Sequence, residues 1–242
     1  MTKHFFLIWL AGIPGVVAIS WLVLPLMLEG RPLPAPQSVI SMTSAVQSAL
    51  LLALAAWTGA KLASQVGLRA PVLMAAADGR LDLDGLRSQL LPGLIGGIFG
   101  IAVLVAFARF APEPLAQLQD RFSFPLIARM LYGGITEEIL VRWGLMTVMV
   151  WTCWRIFQGG VGAPSALAVW LPILLSGLAF GALHLPMVVA MLGPLPASLS
   201  TYIVLANAAF GIVAGFLFWR YGLEAAMLAH VIAHLGAFAF TR

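Results

Sequence analysis

The sequence has little charge and a single cysteine. Only 9% of its 242 residues are charged and 62% are hydrophobic, with a mean hydropathy of +1.01. Soluble domains carry about 25% charged residues, so this composition excludes a soluble monomer, a disordered chain, a collagen and a coiled coil. The Lys and Arg residues are scattered and form no basic stripe, which argues against a nucleic-acid partner despite the net charge of +4. Because Cys153 is alone, a disulfide framework and a Cys-based metal site are also excluded.

Long apolar segments dominate the chain. A membrane-spanning helix needs about 20 mostly apolar residues, and such segments lie at roughly 5–28, 39–60, 90–108, 124–154, 166–191, 198–219 and 222–240. We therefore predict an all-α polytopic membrane helical bundle with about seven transmembrane helices, six to eight being possible. The whole chain, residues 1–242, is expected to form a single integral membrane domain. The first span is too long for a signal-peptide core, so we expect it to be retained.

The distribution of loops and basic residues gives two weaker expectations. The one sizeable loop, residues 61–89, has Leu81, Leu83 and Leu86 among charged residues, which predicts a short helix lying on the membrane surface. Basic residues are slightly more frequent on the side of the N-terminus, which favours a cytoplasmic N-terminus.

Ionisable residues inside the spans are few, and each needs a partner or a function because a charge at mid-bilayer costs about 2.5–3.5 kcal/mol. The rise per residue of an α-helix places Glu137, His184, His230 and His234 about 10–17 Å below one membrane face. We therefore expect three spans to bring polar groups to one level. The residues concerned are Glu137, Glu138 and Arg142 in the fourth span, His184 in the fifth, and His230 and His234 in the seventh.

Spacing within the spans separates these residues into two sets. Glu138 and Arg142 are four residues apart and can neutralise one another, so a buried structural ion pair is one interpretation. Glu137 lies about 100° round an α-helix from Glu138 and is free to face elsewhere. A carboxylate beside a neutral imidazole can hold and deprotonate water, and further imidazoles can stabilise an oxyanion. This chemistry suits hydrolysis of an amide inside a protected cavity.

The sequence lacks the motifs of other classes of intramembrane hydrolase. The sequence has no His-Glu-x-x-His motif for a zinc enzyme and no Gly-x-Ser-Gly motif for a serine enzyme. No Asp lies inside any predicted span, which excludes an aspartyl dyad. Glutamate is the acidic catalyst that remains.

Three motifs in order carry a resemblance to a known family. The fourth span reads E-E-x-x-x-R from Glu137, the fifth reads F-x-x-x-H from Phe180, and the seventh reads H-x-x-x-H from His230. In this order, on separate spans, they resemble the CAAX-protease and bacteriocin-processing family (CPBP, or Abi) of glutamic intramembrane proteases, related to the Ras-converting CAAX endopeptidase. The resemblance covers residues 124–240, expected to be the catalytic core, whereas residues 1–123 are expected to be variable N-terminal helices and a loop.

The resemblance implies a role for each site residue and no metal or other cofactor. Glu137 with His184 would activate water, His230 and His234 would stabilise the oxyanion, and Glu138 with Arg142 would support the site. The partners implied are the lipid bilayer and a protein or peptide substrate, with no nucleic acid, in a bacterial cell (inner) membrane. With a cytoplasmic N-terminus, the site would open toward the outer face of the membrane, which would suit exported substrates. Nothing in the sequence shows a prenyl-binding groove.

Several alternatives stay open. His234 stands where many members have Asn, and Val141 and Trp143 also depart from the commonest motif. Histidines four residues apart, together with His184 and a glutamate, leave zinc binding possible. A non-catalytic membrane scaffold or a bacteriocin-immunity-type protein would keep the motifs for structure only. A proton-coupled transporter could use the Glu and His residues as a relay, although the sequence shows no inverted repeat.

Overall fold

Within the described residues, seven helices are long and apolar enough to cross a membrane, as predicted. The computed structural model describes residues 1–121 and 124–240, and within them every regular element is helical. The chain is therefore a multi-pass membrane protein. The spans are α1 (Thr2–Leu28), α2 (Gln37–Val66), α4 (Leu83–Arg109), α6 (Leu126–Gln158), a fifth span (Ala166–Leu192) formed by α7 (Ala166–Ala182) and α8 (Leu185–Leu192), α9 (Ala197–Arg220) and α10 (Leu223–Phe240); the short helices are α3 (Pro71–Ala77) and α5 (Glu113–Arg121).

Helix α6 lies at the centre of the bundle, packed against α1, α2 and α10. Helix α4 packs along α10, and α7 packs along α9. Lipid tails are as apolar as leucine, so the hydrophobic effect does not drive helices together in a bilayer. Close packing between helices stabilises the bundle instead, and small residues at the interface allow it. A Cβ added at Gly97 or Gly100 of α4 would lie 2.6 Å from Ile232 or Ala233 of α10, respectively. Glycine thus permits the close contact that holds α10 in place.

The motif-bearing part of α6 is wound as a π-helix over Arg129–Glu137 and Ile139–Met146. This differs from the ordinary α-helix on which the spacing argument rests. The Thr136 hydroxyl donates to the Gly12 carbonyl of α1 at 2.7 Å and to the Leu131 carbonyl at 3.2 Å. π-Helical turns are rare and are frequently found at functional sites. The unusual winding therefore marks the same segment as the sequence motif.

The surface helix predicted around Leu81, Leu83 and Leu86 is wrong in position. The Asp82 carboxylate accepts a 2.8 Å hydrogen bond from the backbone N–H of Gly85, so it caps α4, which begins at Leu83. The capped start satisfies an N–H that would otherwise lack a partner. The short helix of this loop lies earlier, at α3.

Helix α5 lies in a connection for which no helix was predicted. Its residues Leu115 and Leu118 pack against a small buried cluster formed by Val188 of α8 and Leu199 and Ile203 of α9. These two apolar contacts hold α5 against the helices that follow His184 in the chain.

Candidate active site

A cavity of about 810 Å³ opens inside the bundle and contains the predicted site. Residues of α6, the fifth span and α10 carry its ionisable groups, α2 and α9 add Thr58 and Asn207, and α1 and α4 supply apolar walls. The expectation that three spans bring their polar side chains together is confirmed. The candidate residues that line the cavity are Glu137, His184, His230 and His234.

His184 lies at a break between α7 and α8 that the sequence analysis did not predict. Pro186, in the first turn of α8, has no N–H to bond the Ala182 carbonyl, so the α-helical hydrogen-bond pattern is interrupted there. The His184 backbone N–H instead bonds the Gly181 carbonyl at 3.2 Å. This leaves the Phe180 carbonyl free to accept a 2.8 Å hydrogen bond from His184 Nδ1.

This hydrogen bond fixes the tautomer of His184. A carbonyl oxygen can only accept, so Nδ1 must carry the proton. In the neutral ring Nε2 is then an acceptor, which is the state that a base requires. The Phe180 ring also packs edge-on against His184, with ring centroids 4.8 Å apart. Phe180 therefore orients the imidazole through both its backbone and its side chain.

Glu138 and Arg142 lie behind the cavity and are fully buried. Arg142 Nε lies 3.3 Å from Glu138 Oε2, which confirms the pair that the spacing predicted. Arg142 Nη2 also donates to the Gly211 carbonyl at 3.0 Å, and the guanidinium stacks over Phe180 at 4.8 Å. The pair thus joins α6 to α9 and to α7, which ends just before His184.

A second contact of Glu138 was not predicted. Its Oε1 accepts a 2.7 Å hydrogen bond from Nδ1 of His230 when that nitrogen carries the proton. His230 is 4% exposed, so the contact is shielded from water. No sequence signal gave this pairing, because Glu138 and His230 are 92 positions apart and only the packing of α10 on α6 joins them.

Contact with Glu138 constrains how His230 could act. When Nδ1 donates to a carboxylate, the neutral ring has a bare Nε2, which accepts but cannot donate. Donation from Nε2 therefore requires one additional proton shared between His230 and Glu138. Arg142 holds one positive charge beside this pair, so the three groups together would then carry one net positive charge.

His234 stacks on His230, with ring centroids 4.8 Å apart and an interplanar angle of 21°. Its Nε2 lies against Gly133 of α6, where an added Cβ would lie 2.5 Å away. The same Cβ would lie 3.6 Å from His230 Nε2. Gly133 therefore makes room for both imidazoles beside the helix turn that leads to Glu137.

Four further polar residues line the cavity and were not among the predicted site residues: Thr58, Arg129, Tyr132 and Asn207. Asn207 and Tyr132 are uncharged at neutral pH, so a search for ionisable residues inside spans passes over them. Asn207 Nδ2 donates to the Ile203 carbonyl one turn back at 2.8 Å.

The zinc alternative has no ligand set in the part of the chain that is described. Within residues 1–121 and 124–240, no three His, Cys, Asp or Glu side chains are grouped so that they could hold a metal ion. Glu138 occupies His230 Nδ1, and the stacked rings of His230 and His234 lie nearly parallel.

Comparison with known proteins gives one family match and two short local similarities. Residues 119–236 match the family described as type II CAAX prenyl endopeptidase Rce1-like. A tRNA N6-adenosine threonylcarbamoyltransferase of Rhizobium johnstonii is 38% identical over 74 residues, which cover 25% of this chain and 20% of that protein. The corresponding protein of Rhizobium etli is 36% identical over 83 residues, covering 29% of this chain and 23% of that protein.

These local similarities cover less than a quarter of either curated relative and carry no conclusion about activity. No solved structure matches the chain. The family match, in contrast, includes all three motifs and every ionisable residue that lines the cavity. With three motifs meeting in one cavity among seven spans, residues 119–236 belong to the CAAX-protease and bacteriocin-processing family of membrane proteases.

Proposed function

We propose that this protein is a glutamic-type intramembrane endopeptidase that hydrolyses a peptide bond of a membrane-associated or exported protein or peptide. The observation that carries the proposal is the meeting of one carboxylate and three imidazoles from three spans in a single cavity. A structural ion pair would account for Glu138 and Arg142, but it would not account for Glu137, which faces the cavity. Intramembrane ionisable residues that line a cavity commonly serve function.

Water activation is the role proposed for Glu137 and His184. A water molecule between them would donate one hydrogen to the Glu137 carboxylate and the other to the bare Nε2 of His184. Its free lone pair would then attack the carbonyl carbon of the substrate, and one proton would pass to the base as the new C–O bond forms. That proton would leave on the amine when the C–N bond breaks.

Stabilisation of the oxyanion is the role proposed for His230 and His234. The extra proton on the His230–Glu138 pair would give Nε2 a hydrogen to donate toward the negative oxygen. The net positive charge of this pair with Arg142 would be neutralised when the oxyanion forms, so the interaction would be stronger in the transition state than before it. Glu138 and Arg142 would act as positioning residues, because they do not line the cavity.

The walls of the cavity favour a substrate with an apolar part. Its apolar lining includes Leu51 and Leu54 of α2, Leu183 and Met187 of the fifth span, and the stretch of α6 from Leu140 to Val148. Leu51, Leu54 and Leu183 are more than half exposed, so the cavity opens toward the surroundings of the helices. An apolar segment or lipid anchor could enter there from the bilayer. In this proposal residues 124–240 are the catalytic core, and the N-terminal helices complete its walls.

The test compares protein termini in bacteria that produce wild-type protein, Glu137→Gln, or the control Glu113→Gln at matched abundance. Glu113 is an exposed residue of α5, so its substitution makes the same chemical change away from the cavity. We expect new termini of membrane or exported proteins with the wild type and the control, and none with Glu137→Gln. Identical termini in all three strains, with a phenotype for deletion of the gene, would overturn the proposal in favour of a non-catalytic scaffold.

A further inference from the structure

Asn207 is the single asparagine of the sequence, and it lines the cavity from α9. Its Nδ2 donates to the Ile203 carbonyl at 2.8 Å, and because a carbonyl oxygen can only accept, Oδ1 must face away from that carbonyl. Within residues 1–121 and 124–240, this is the one hydrogen bond in which the Asn207 side chain takes part. Oδ1 and the second N–H of the amide are therefore available to a ligand in the cavity.

Two contacts of α9 show where Asn207 lies relative to the histidines. Three positions before it, α9 packs so closely on the end of α7 that a Cβ added at Gly181 would collide with the Val204 carbonyl. Three positions after it, the Phe210 ring packs on His230, with ring centroids 4.6 Å apart. Along α9, Asn207 thus lies between the end of the helix that leads to the histidine of the fifth span and the contact with His230.

The packing of α9 does not explain an asparagine at this position. It is the one side chain among residues 203–213 that can form a hydrogen bond, and asparagine lowers helix stability relative to alanine or leucine. Polar residues in membrane helices usually bond a neighbouring helix. Although α7 packs along α9, Asn207 bonds its own helix. Its amide therefore adds no link between helices, and a partner for Oδ1 has to come from a ligand.

The chemistry of the amide indicates the kind of ligand. An amide carries no charge, so its partner is an uncharged hydrogen-bonding group. A peptide backbone offers the complementary pair, an N–H that donates and a carbonyl that accepts. Asn207 Oδ1 can accept from such an N–H while Nδ2 remains bonded to the Ile203 carbonyl. A few polar groups of this kind fix the orientation of a ligand in a binding cavity.

We propose that Asn207 binds the backbone of the peptide substrate, with Oδ1 accepting a hydrogen bond from an N–H close to the scissile bond. This inference rests on the proposed endopeptidase function and adds a substrate-binding residue to it. The contact holds the peptide in place while Glu137 and His184 activate water and His230 faces the oxyanion. Asn207 itself takes no part in proton transfer.

The test uses the full-length protein in phosphatidylethanolamine–phosphatidylglycerol vesicles. Peptides with an apolar anchor and a randomised segment are first screened by mass spectrometry for a sequence that wild type cleaves and Glu137→Gln does not. That peptide is then made as a series in which one backbone N–H at a time, outside the scissile bond, is replaced by an ester oxygen. Cleavage at the original bond is measured for every peptide.

Two substitutions of Asn207 are compared with wild type. Asn207→Leu keeps the shape of the side chain and removes its hydrogen-bonding groups, and Asn207→Ala shows whether a bulky side chain alone obstructs the substrate. Leucine and alanine are better helix formers than asparagine, so both variants should fold. The matched control is Thr201→Val, which makes a similar change at an exposed position of α9 outside the cavity lining.

We expect one ester position to lower kcat/KM of wild type about 3-fold to 10-fold, as the loss of one uncharged hydrogen bond does. Both Asn207 variants should cleave the all-amide peptide at about this lower rate and be insensitive to the ester at that position. The other esters should affect them as they affect wild type. Thr201→Val should behave as wild type throughout. Ratios between peptides within one variant do not depend on the folded fraction.

Three outcomes would overturn the inference while leaving the endopeptidase function intact. They are a wild type that is indifferent to every ester, Asn207 variants that keep the wild-type sensitivity to each ester, and an equal loss of kcat/KM for all peptides in those variants. The last pattern would assign Asn207 a purely structural role. Absence of any Glu137-dependent cleavage in the first screen would overturn the proposed function and this inference with it.

Discussion

Two consecutive glutamates of α6, Glu137 and Glu138, have opposite surroundings. Glu138 is fully buried and makes contacts with Arg142 and His230, so its charge is neutralised inside the protein. Glu137, one residue earlier, faces a cavity with His184 and His234. Glu138 thus links helices inside the protein, whereas Glu137 remains available to a ligand.

The difference lies in what each carboxylate gains from its surroundings. A buried charge is tolerated only with excellent partners, because the loss of hydration is expensive and removal of one partner leaves the other uncompensated. A carboxylate that faces a cavity can be hydrated and can hold a water molecule for reaction. Loss of Glu138 should therefore lower stability, and loss of Glu137 should lower activity alone.

The largest expected effect is a loss of stability when the buried group of Glu138, Arg142 and His230 is disrupted. Arg142→Gln leaves Glu138 without its guanidinium, which should destabilise the protein by about 3–5 kcal/mol. The measurement is the free energy of unfolding in detergent, obtained from thermal or denaturant titration. The double variant Glu138→Gln with Arg142→Gln removes both charges and should recover part of the loss. A change below about 1 kcal/mol for Arg142→Gln, the range of an exposed pair, would contradict the role of the buried group.

A smaller effect is expected from moving His184 without removing it. Pro186→Ala restores an N–H that can bond the Ala182 carbonyl, so α7 and α8 should join and the His184 ring should leave the Phe180 carbonyl. Peptide cleavage should fall about 10-fold to 100-fold, because misplacement of a reacting group by about 1 Å has effects of this size. Stability should be unchanged or higher. The control is Pro114→Ala, at an exposed proline of α5; equal activity of both variants would show that the break does not position His184.

The smallest effect is expected from a third charged group, which is exposed. Asp78 contacts Lys3 at 2.6 Å, and the Lys3 ammonium holds the pKa of the Asp78 carboxyl at about 2, below its ordinary value of 3.8. His4 and Arg80 also donate to Asp78, at 3.1 and 3.3 Å.

A lowered pKa in the folded state means that these contacts stabilise the protein above about pH 4 and that the contribution is lost as the pH falls toward 2. Asp78→Asn should remove this part of the acid sensitivity and leave peptide cleavage unchanged. The measurement is unfolding in detergent between pH 2 and pH 7. A steeper acid loss in Asp78→Asn than in wild type would contradict the assignment.

Parts of this organisation follow from the sequence because hydropathy and spacing act locally. Seven apolar segments predicted the seven spans, and the spacing of Glu138 and Arg142 predicted their contact. The contact between Glu138 and His230 could not be predicted, because it depends on how α10 packs against α6 across 92 positions. Pro186 was a visible signal for the break at His184, but apolar content alone favoured one continuous span. The surface helix was misplaced because Asp82 caps the next span earlier than hydropathy indicates.

The most direct test compares Glu137→Gln with Glu138→Gln in one preparation. Both variants are reconstituted in vesicles with wild-type protein, and Glu137-dependent peptide cleavage is measured per folded molecule beside the unfolding midpoint. We predict that Glu137→Gln keeps the wild-type midpoint and loses about 100-fold to 10,000-fold in rate, as removal of a general base does. Glu138→Gln should lower the midpoint and retain more activity per folded molecule. Full activity of Glu137→Gln, or the reverse pattern, would contradict the assignment of the two carboxylates.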